Sequence, residues 1–275
     1  DRLLPVSSQP LTPKRLAALA AGLFILTALT WYRFSQPAPP AWHAIQGETM
    51  GTTYTVKLFS APDRSTRVEI EQALEEVNAG MSTYRKDSEL SRFNASGTDP
   101  FTLSPAVFQV MQHALELSRQ TDGAFDITVG SIVNAYGFGP DMKIELPTEA
   151  ELNTLRQSVG YHRLNLNESA STIQKSIPEI YCDLSAIAKG YGVDAVASLL
   201  NEQNIENYFI EIGGEVRCRG LNSERIPWRI GIEKPIANVR AIHRVVPLHN
   251  RSIATSGRNR HFTRTHDQFV SHHLY

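Results

Sequence analysis

The longest uninterrupted apolar stretch lies near the start of the chain, at residues 16–32, with no charge between Arg15 and Arg33. A helix of this length rises about 1.5 Å per residue and spans roughly 25 Å, enough for a thin bilayer. Lys14 and Arg15 precede the stretch, so the positive-inside rule places the rest of the chain across the membrane. We therefore expect a membrane helix here.

An uncleaved anchor is favoured over a cleaved signal peptide, because the following SQPAPPAW offers no clean Ala-x-Ala site. A lipoprotein would need a cysteine just after the apolar stretch, and the sequence has none there. The expected organisation is a cytoplasmic segment at 1–15, an anchor at 16–34, a proline-rich linker at 35–43 and a folded domain at 44–275. The first residue is Asp rather than Met, so we expect a fragment at this end.

Helical periodicity dominates the first half of the folded domain. One predicted helix has the apolar stripe Val68, Leu74, Val77 and Met81. Ser104 and Pro105 are typical of a second helix start. Its predicted stripe is Val107, Val110, Met111, Ala114 and Leu117. Thr148 and Glu151 have the spacing of a capping box, which predicts a third helix.

Strand-like segments dominate the second half. The predicted strands are EIYCDL, NYFIEI, EVRCRG, WRIGIE and HRVVPL. The segment SAIAKGYGVDAVASLL is a predicted buried helix. The pair Gly213-Gly214 predicts a turn between two of the strands. Helices followed by strands around one central helix indicate an α+β fold: a single domain with a mostly antiparallel sheet and packed helices, rather than a doubly wound nucleotide fold.

The composition and the absence of several common motifs exclude some classes of function. The chain is 41% hydrophobic and 20% charged, as globular proteins are, and its formal net charge is −1. That balance gives no general attraction to nucleic acid, so we expect no nucleic-acid partner. Two cysteines exclude a disulfide scaffold and a four-cysteine zinc site. The sequence also lacks GxxxxGK[ST], HExxH, GxSxG and a GxGxxG following a strand.

The segment YCDLSAIAKGYGVD is a candidate anion site. Asp183 precedes a helix start near Ser185, where free N–H groups and the helix dipole attract anions. The simpler interpretation is that Asp183 is only an N-cap. Lys189 lies one turn into an apolar helix and calls for an anionic partner, while Gly190 and Gly192 permit a close approach.

Four further features each allow two interpretations. Asp126 lies in an apolar stretch and is either a satisfied buried carboxylate or a ligand. Tyr84 lies in a polar turn and is either an ordinary surface tyrosine or a stacking platform for a planar ligand. Residues 136–139 are either packing or a wall for a ring, and Gly213-Gly214 brings backbone close to a ligand or to another strand.

Taken in order, the segments GETMGTTYTV, MSTYRKDSELSRFN, TDGAFDITVGSIVNAYGFGP, YCDLSAIAKGYGVD, FIEIGGEVRCRG, WRIGIEKP and SIATSG resemble the ApbE family, the FAD:protein FMN transferases. The resemblance runs from about Gln46 to Leu274. It implies that Mg²⁺ and FAD are used to move FMN onto a threonine hydroxyl of a partner protein, with release of AMP. The partners it implies are subunits of membrane-bound redox complexes.

The resemblance also assigns residues. It places Met50, Tyr84, Ala124, Phe125, Asp126, Asp183, Lys189 and Ile253 at the FAD, and it gives the backbone oxygen of Ala186 to the metal. Ser271 and His272 match the family's Ser-His pair. A threonine hydroxyl needs a base, and we expect His272 to be that base; the alternative is a tail residue without a role. The family's next Asp-Pro-x-Thr-Gly turn and later metal-binding Asp and Thr have no match before Tyr275, so the chain resembles a member truncated at the carboxyl end.

The expected protein is thus a membrane-anchored flavin transferase of a bacterial inner membrane, with its catalytic domain in the periplasm. Two alternatives stay open. One is a protein that binds FAD without transferring it. The other is a pyrophosphatase that uses water as the acceptor and splits FAD into FMN and AMP.

Overall fold

The computed structural model describes residues 12–35, 42–59, 64–140, 145–236, 241–257, 262–265 and 268–271, the last two ranges by their backbone. The chain divides into two units, of which the first ends at Ala41 and the second begins at Trp42. In the first unit, helix α1 (Pro13–Ser35) has no buried side chain. It is long and apolar enough to cross a membrane, a property that a signal sequence shares. Most of the predicted linker lies outside the described residues.

The second unit alternates short helices and strands. Its helices are α2 (Arg64–Met81), α3 (Glu89–Ala95), α4 (Pro105–Gln120), α5 (Gly130–Ala135), α6 (Glu149–Arg156) and α7 (Ser185–Glu202), with a 3-10 turn at Tyr161–Arg163. Its strands are β1 (His43–Thr49), β2 (Thr52–Leu58), β3 (Phe101–Thr102), β4 (Leu164–Asn167), β5 (Thr172–Lys175), β6 (Tyr208–Ile212), β7 (Glu215–Arg219), β8 (Trp228–Glu233), β9 (Ile242–Leu248), β10 (Arg251–Ile253), β11 (Phe262–Thr265) and β12 (Gln268–Ser271).

The main sheet has five strands in the order β1-β2-β6-β7-β10. A three-stranded sheet has the order β3-β5-β4, and β8–β9 and β11–β12 form two-stranded sheets. Each pairing between these strands is antiparallel. The α+β class and the mostly antiparallel sheet predicted from the sequence are confirmed.

Helix α7 is the central helix, because it joins two parts of the core. Its start packs into one apolar cluster through Leu184 and Ala188, together with residues of α3 and α4. Its later turns enter a second cluster through Val193 and Val196, against α2 and the main sheet. A smaller third cluster surrounds Trp228. The first turns of α7 therefore lie where the first two clusters meet.

Two predicted stripes need correction. In α2, Val68 is 53% exposed, while Thr66 and Ile70 are buried with Leu74, Val77 and Met81. Val68 lies two residues from Ile70, a rotation of about 200° on a helix, so it faces solvent. In α4, Leu117 is 38% exposed at the edge of the stripe, and Leu115 and Ser118 are buried instead.

One predicted strand is absent from the described residues. EIYCDL forms only a single parallel bridge, between Tyr181 and Val129. The other four predicted strands form β6, β7, β8 and β9, and the capping box of Thr148 and Glu151 is confirmed at α6. Ser104 and Pro105 start α4 as expected, although the Ser104 side chain makes no capping bond. The three-stranded sheet, α3 and α5 were not predicted.

Candidate functional site

Two tight turns lie at one end of the main sheet, and we call them the hairpin turns. Met50-Gly51 joins β1 to β2 with φ values of 49° and 68°, and Gly213-Gly214 joins β6 to β7 with φ values of 56° and 104°. Positive φ at both central residues is typical of two-residue hairpin turns. The Gly213 N–H donates to the Thr53 carbonyl at 3.1 Å, so the two turns are neighbours. Met50 is a non-glycine residue in the left-handed region, a conformation that concentrates at functional sites.

Met50 contacts α7 at a glycine. A Cβ built at Gly192 would lie 2.7 Å from the Met50 Cε atom and 3.4 Å from Ile212. The absence of a side chain at Gly192 therefore lets the turn approach the helix. The close approach predicted for this glycine is confirmed, and the group that approaches is a methionine of the same chain.

Lys189 finds its anionic partner in the other hairpin turn. Its Nζ atom lies 3.1 Å from both carboxylate oxygens of Glu215, the first residue of β7. The pair is partly exposed, with 32% of the Lys189 side chain and 18% of the Glu215 side chain accessible. The Lys189 stem passes 3.2 Å from the Cβ position of Gly213. Glu215 is therefore the anionic partner that the sequence predicts for Lys189.

Ile253 lies beside the same turn. It stands opposite Val216 in the pairing of β10 with β7 and is half-buried against the third cluster. Two residues further on, the Thr255 Oγ1 atom lies 3.5 Å from the Cβ position of Gly214. The end of β10 thus borders the hairpin turns.

Asp183 lies in the segment that leads into α7, which we call the junction (residues 180–185). Its N–H donates to the Ile127 carbonyl at 2.8 Å, and its Oδ1 accepts from the Ser185 N–H at 2.7 Å. A Cβ at Gly130 would lie 2.8 Å from the Tyr181 carbonyl oxygen and 3.2 Å from the Asp183 Cβ, so the chain at 127–130 runs against the junction. Helix α7 starts at Ser185 as predicted, but the N-cap position is Leu184, which makes no side-chain cap bond, so the prediction of Asp183 as the N-cap is wrong. Asp183 lies one residue earlier and accepts from the first N–H of the helix instead.

Asp126 orders the chain on either side of Ile127, whose carbonyl accepts from the Asp183 N–H. Its Oδ1 accepts from the Thr128 N–H at 2.8 Å and from the Thr128 hydroxyl at 2.7 Å. Its Oδ2 accepts from the Tyr161 N–H at 2.8 Å. The carboxylate is therefore a satisfied group with three donors from the protein. Of its neighbours in the predicted FAD segment, Ala124 is exposed and Phe125 is half-buried.

Tyr84 lies near the junction and is largely exposed. The residue is 60% exposed. Its hydroxyl donates to the Phe138 carbonyl at 2.9 Å. Desolvation raises the pKa of the Tyr84 hydroxyl, and the neighbouring Asp183 carboxylate adds to the increase. The tyrosine is thus fixed at its tip, against the turn at 136–139, while one surface of its ring stays accessible.

The first turns of α7 offer open space. Ala186 is exposed, and a Cβ built at Gly190 would have no heavy atom within 4 Å. Residues four apart lie on one face of a helix, so these two small residues form a continuous surface. The structure brings the predicted site residues Met50, Tyr84, Asp183, Ala186, Lys189 and Ile253 to the two sides of these turns. His272 lies outside the described residues.

Metal ligands are sparse in this region. Within the described part of the chain, no three His, Cys, Asp or Glu side chains come together as a metal site. Ala186 can offer its main-chain carbonyl oxygen.

Three polar residues near the site were not singled out from the sequence: Asn94, Lys175 and Glu215. Glu215 directly follows a glycine turn, but the sequence does not indicate that its carboxylate pairs with Lys189, because the two residues meet only in the folded chain. Lys175 lies in the alternating strand TIQK with nothing in its neighbourhood to indicate burial, yet it is 1% exposed. Asn94 contacts a segment 88 residues away. Such partners depend on tertiary structure.

Comparison with known proteins gives consistent results. The model of the ApbE family matches residues 50–275. The FAD:protein FMN transferase of Vibrio cholerae serotype O1 is 47% identical over 224 residues, which cover 79% of this chain and 66% of that protein. The FAD:protein FMN transferase of Haemophilus influenzae is 43% identical over 242 residues, covering 84% of this chain and 70% of that protein.

Solved structures show the same similarity. The structure described as flavin transferase ApbE from Vibrio cholerae superposes with a TM-score of 0.78 at 45% identity, covering 85% of this chain and 76% of that one. The chain spans 66% of the length of the Vibrio cholerae relative in the sequence comparison, about two thirds of it.

Proposed function

Since this chain belongs to the ApbE family, we propose that it is a Mg²⁺-dependent FAD:protein FMN transferase that modifies a threonine of a target protein. In the reaction, the threonine oxygen bonds to the phosphorus of the FMN half, the phosphoanhydride bond to AMP breaks, and the hydroxyl proton passes to a base. The proposed target is a subunit of a membrane redox complex. The observation that carries the proposal is the gathering of the family-matched residues around the first turns of α7.

The surface on these turns has the chemistry that FAD requires. Tyr84 presents an accessible aromatic ring for a planar ring system. The surface of Ala186 and Gly190 leaves room for a ligand to lie against the helix. Lys189 provides a cation for a pyrophosphate, because its pair with Glu215 is partly exposed and can exchange one anion for another.

In the proposed mechanism each residue has a limited task. Tyr84 positions the ligand beside the open surface of α7, and Met50 borders the site from the hairpin turn that packs on Gly192. Lys189 compensates the negative charge that builds up on the pyrophosphate when the threonine attacks. A threonine hydroxyl is a weak nucleophile near neutral pH, and His272 is the proposed base that accepts its proton. Asp183 holds the Ser185 N–H and so fixes the helix start that faces the reacting group.

The proposed Mg²⁺ does not follow from the described residues. Mg²⁺ prefers about six oxygen ligands in octahedral geometry. The described residues offer the Ala186 carbonyl and hold no cluster of three His, Cys, Asp or Glu side chains. The requirement for the ion is tested with a chelator.

We also propose that α1 anchors the protein in a bacterial inner membrane, with the folded domain in the periplasm. The length and composition of α1 and the basic residues before its apolar stretch support this. Sequencing of the mature amino terminus tests it. A terminus after residue 35 would mean cleavage and would contradict the anchor.

The transferase is tested with the chain in detergent, FAD, Mg²⁺ and a threonine-bearing acceptor, by in-gel flavin fluorescence after denaturation. The expected result is a fluorescent acceptor band and an equal amount of AMP, both lost with EDTA or with an acceptor whose threonine is replaced by valine. AMP without a band would indicate the pyrophosphatase. Bound FAD without AMP would indicate the binding protein.

The base is tested in the same assay. We expect His272→Ala to abolish the fluorescent band while leaving the dissociation constant for FAD unchanged, because the imidazole acts on the acceptor rather than on FAD. His273→Ala is the matched control, and it should leave both quantities unchanged. Equal transfer by wild type and by His272→Ala would exclude His272 as the base.

A further inference from the structure

We propose that Lys175 and Asn94 are positioning residues that fix the junction before α7 and thereby the geometry of Asp183. Neither residue touches the open surface of the helix in the proposed mechanism. The consequence for FAD binding rests on the proposed function, whereas the consequence for the junction does not. The inference follows from three features: a buried ammonium group, a two-way amide contact and a segment without a strand ladder.

Lys175 is a buried cation whose partners are carbonyl groups. It is 1% exposed, and its Nζ donates to the carbonyls of Asn94 at 3.0 Å, Pro178 at 3.1 Å and Ile180 at 3.5 Å. The Nζ atom also lies 5.5 Å from the ring centroid of Phe93. Burial lowers the pKa of the Lys175 ammonium group. Burying an ammonium group is costly, so three fixed acceptors mark this as a specific arrangement rather than a packing accident.

Asn94 binds the junction in both directions. Its Nδ2 donates to the Cys182 carbonyl at 2.8 Å, and its Oδ1 accepts from the Cys182 N–H at 2.8 Å. Asn94 lies in the last turn of α3, where backbone carbonyls have no partner within the helix. Lys175 supplies the donor for that carbonyl. The two side chains therefore link the end of α3 to the chain from Pro178 to Cys182.

These bonds replace a strand ladder. The segment EIYCDL has strand composition, but it makes only the single bridge at Tyr181. Its register is therefore not set by a full row of sheet hydrogen bonds. On one side it has that bridge and the bond from the Asp183 N–H to the Ile127 carbonyl, and on the other side the contacts from Lys175 and Asn94 at Pro178, Ile180 and Cys182 hold it. Asp183 is the next residue and holds the first N–H of α7 through Ser185. A displacement of the junction would move Asp183 and the helix start together.

The first test measures the junction itself by native-state hydrogen exchange on the full chain in detergent. Lys175→Met keeps the apolar stem and removes the donors, and Asn94→Ala removes the contact to Cys182. For both variants we expect amide protection at residues 180–187 to fall at least about tenfold more than in the main sheet. Leu200→Ala, in the second core cluster, is the destabilised control without this local pattern. Unchanged relative protection at 180–187 would overturn the proposal.

Two variants are needed because Lys175→Met leaves carbonyls without donors and can impair folding. Asn94→Ala leaves the Lys175 ammonium in place and keeps the proposal testable. If Asn94→Ala gives the same loss of protection spread evenly over the whole domain, the residue is only structural and the positioning role is refuted.

The second test links the junction to FAD through a double-mutant cycle with Asp183→Ala. We expect Lys175→Met to raise the FAD dissociation constant about tenfold in the wild-type background, since small misplacements in a site have large effects. In the Asp183→Ala background it should add little, because both changes act through one group. Equal effects in both backgrounds would refute action through Asp183. A wild-type chain that binds no FAD would refute the proposed function, while the exchange experiment would still decide on the positioning role.

Discussion

The junction and the hairpin turns lie on two sides of the same helix start, but their polar groups are held differently. At the junction, Asp183 and Cys182 bond to fixed groups of the protein through short contacts of 2.7–2.8 Å. At the hairpin turns, the Lys189–Glu215 pair is partly exposed and has a length of 3.1 Å. One side is a rigid support, and the other is a pair of charges open to exchange.

This difference separates stability from affinity. Removing a partner at a buried, satisfied site leaves the other groups unpaired, which costs folding free energy. Removing a partly exposed ion pair costs little, because water replaces the partner. We therefore expect substitutions around the junction to lower the free energy of unfolding and to change FAD affinity only through Asp183. Substitutions at the hairpin turns should change ligand affinity with little effect on the free energy of unfolding.

The largest effect is expected behind the junction, at Asp126. Asp126→Ala leaves the Tyr161 N–H and both donors of Thr128 without their acceptor. Hydrogen bonds to a charged group contribute about 1.5–3 kcal/mol each, so the free energy of unfolding should fall by roughly 3 kcal/mol or more. Urea denaturation followed by circular dichroism measures the change.

The matched control is Asp99→Ala, because Asp99 is exposed in a loop. Exposed substitutions usually change stability by less than about 0.5 kcal/mol. If Asp126→Ala were as stable as Asp99→Ala, the carboxylate would not support the junction. The ligand interpretation of Asp126 would then be favoured over the structural one.

A medium effect is expected at Gly190, where the open surface of α7 lies. In Gly190→Ala the new Cβ would have no other heavy atom within 4 Å. Alanine is also more favourable than glycine inside a helix, by about 0.5–1 kcal/mol. We expect a more stable protein whose dissociation constant for FAD rises about tenfold, or about 1.4 kcal/mol, because the methyl group occupies the ligand's space. Thermal unfolding and flavin fluorescence titration measure the two quantities.

Gly192→Ala provides the opposite case on the same helix. Its Cβ would meet the Met50 Cε at 2.7 Å, so the methionine must shift and stability should fall by about 1 kcal/mol. A Gly190→Ala variant that binds FAD as tightly as the wild type would show that the ligand does not lie on this face of α7.

Local signals in the sequence were sufficient for much of the fold. The Thr148 and Glu151 capping box, the Ser104-Pro105 helix start and the Gly213-Gly214 turn involve residues close in the chain, and each was predicted. The prediction for Val68 is wrong, because apolar character alone does not give the angle of a residue on the helix. The α+β class followed from the order of elements alone.

The site was less accessible to the same reasoning. EIYCDL was predicted as a strand, yet its hydrogen bonds go to Asn94, 88 residues away, and no local pattern shows that. The partner of Lys189 is Glu215, 26 residues away. The candidate FAD residues are predicted from the family resemblance, and the structure adds which of them lie around the first turns of α7.

The smallest effects are expected at the Lys189–Glu215 pair, where the two partners should act in opposite directions. Lys189→Met removes the cation proposed for the pyrophosphate, so the FAD dissociation constant should rise several-fold, with the difference shrinking at high salt. Glu215→Gln keeps the shape of the side chain and removes the competing negative charge, so the dissociation constant should fall. Because the pair is partly exposed, we expect each variant to change the free energy of unfolding by less than about 1 kcal/mol.

Titration of FAD at low and high salt, combined with urea denaturation of both variants, decides between exchange and a fixed pair. A loss of stability near the value expected for Asp126→Ala would make the hairpin turns a second rigid support and remove the contrast with the junction. Weaker FAD binding by Glu215→Gln would indicate that the carboxylate accepts a hydrogen bond from the ligand. Lys189 would then act by orienting Glu215, and the charge at this turn would serve recognition rather than neutralisation of the pyrophosphate.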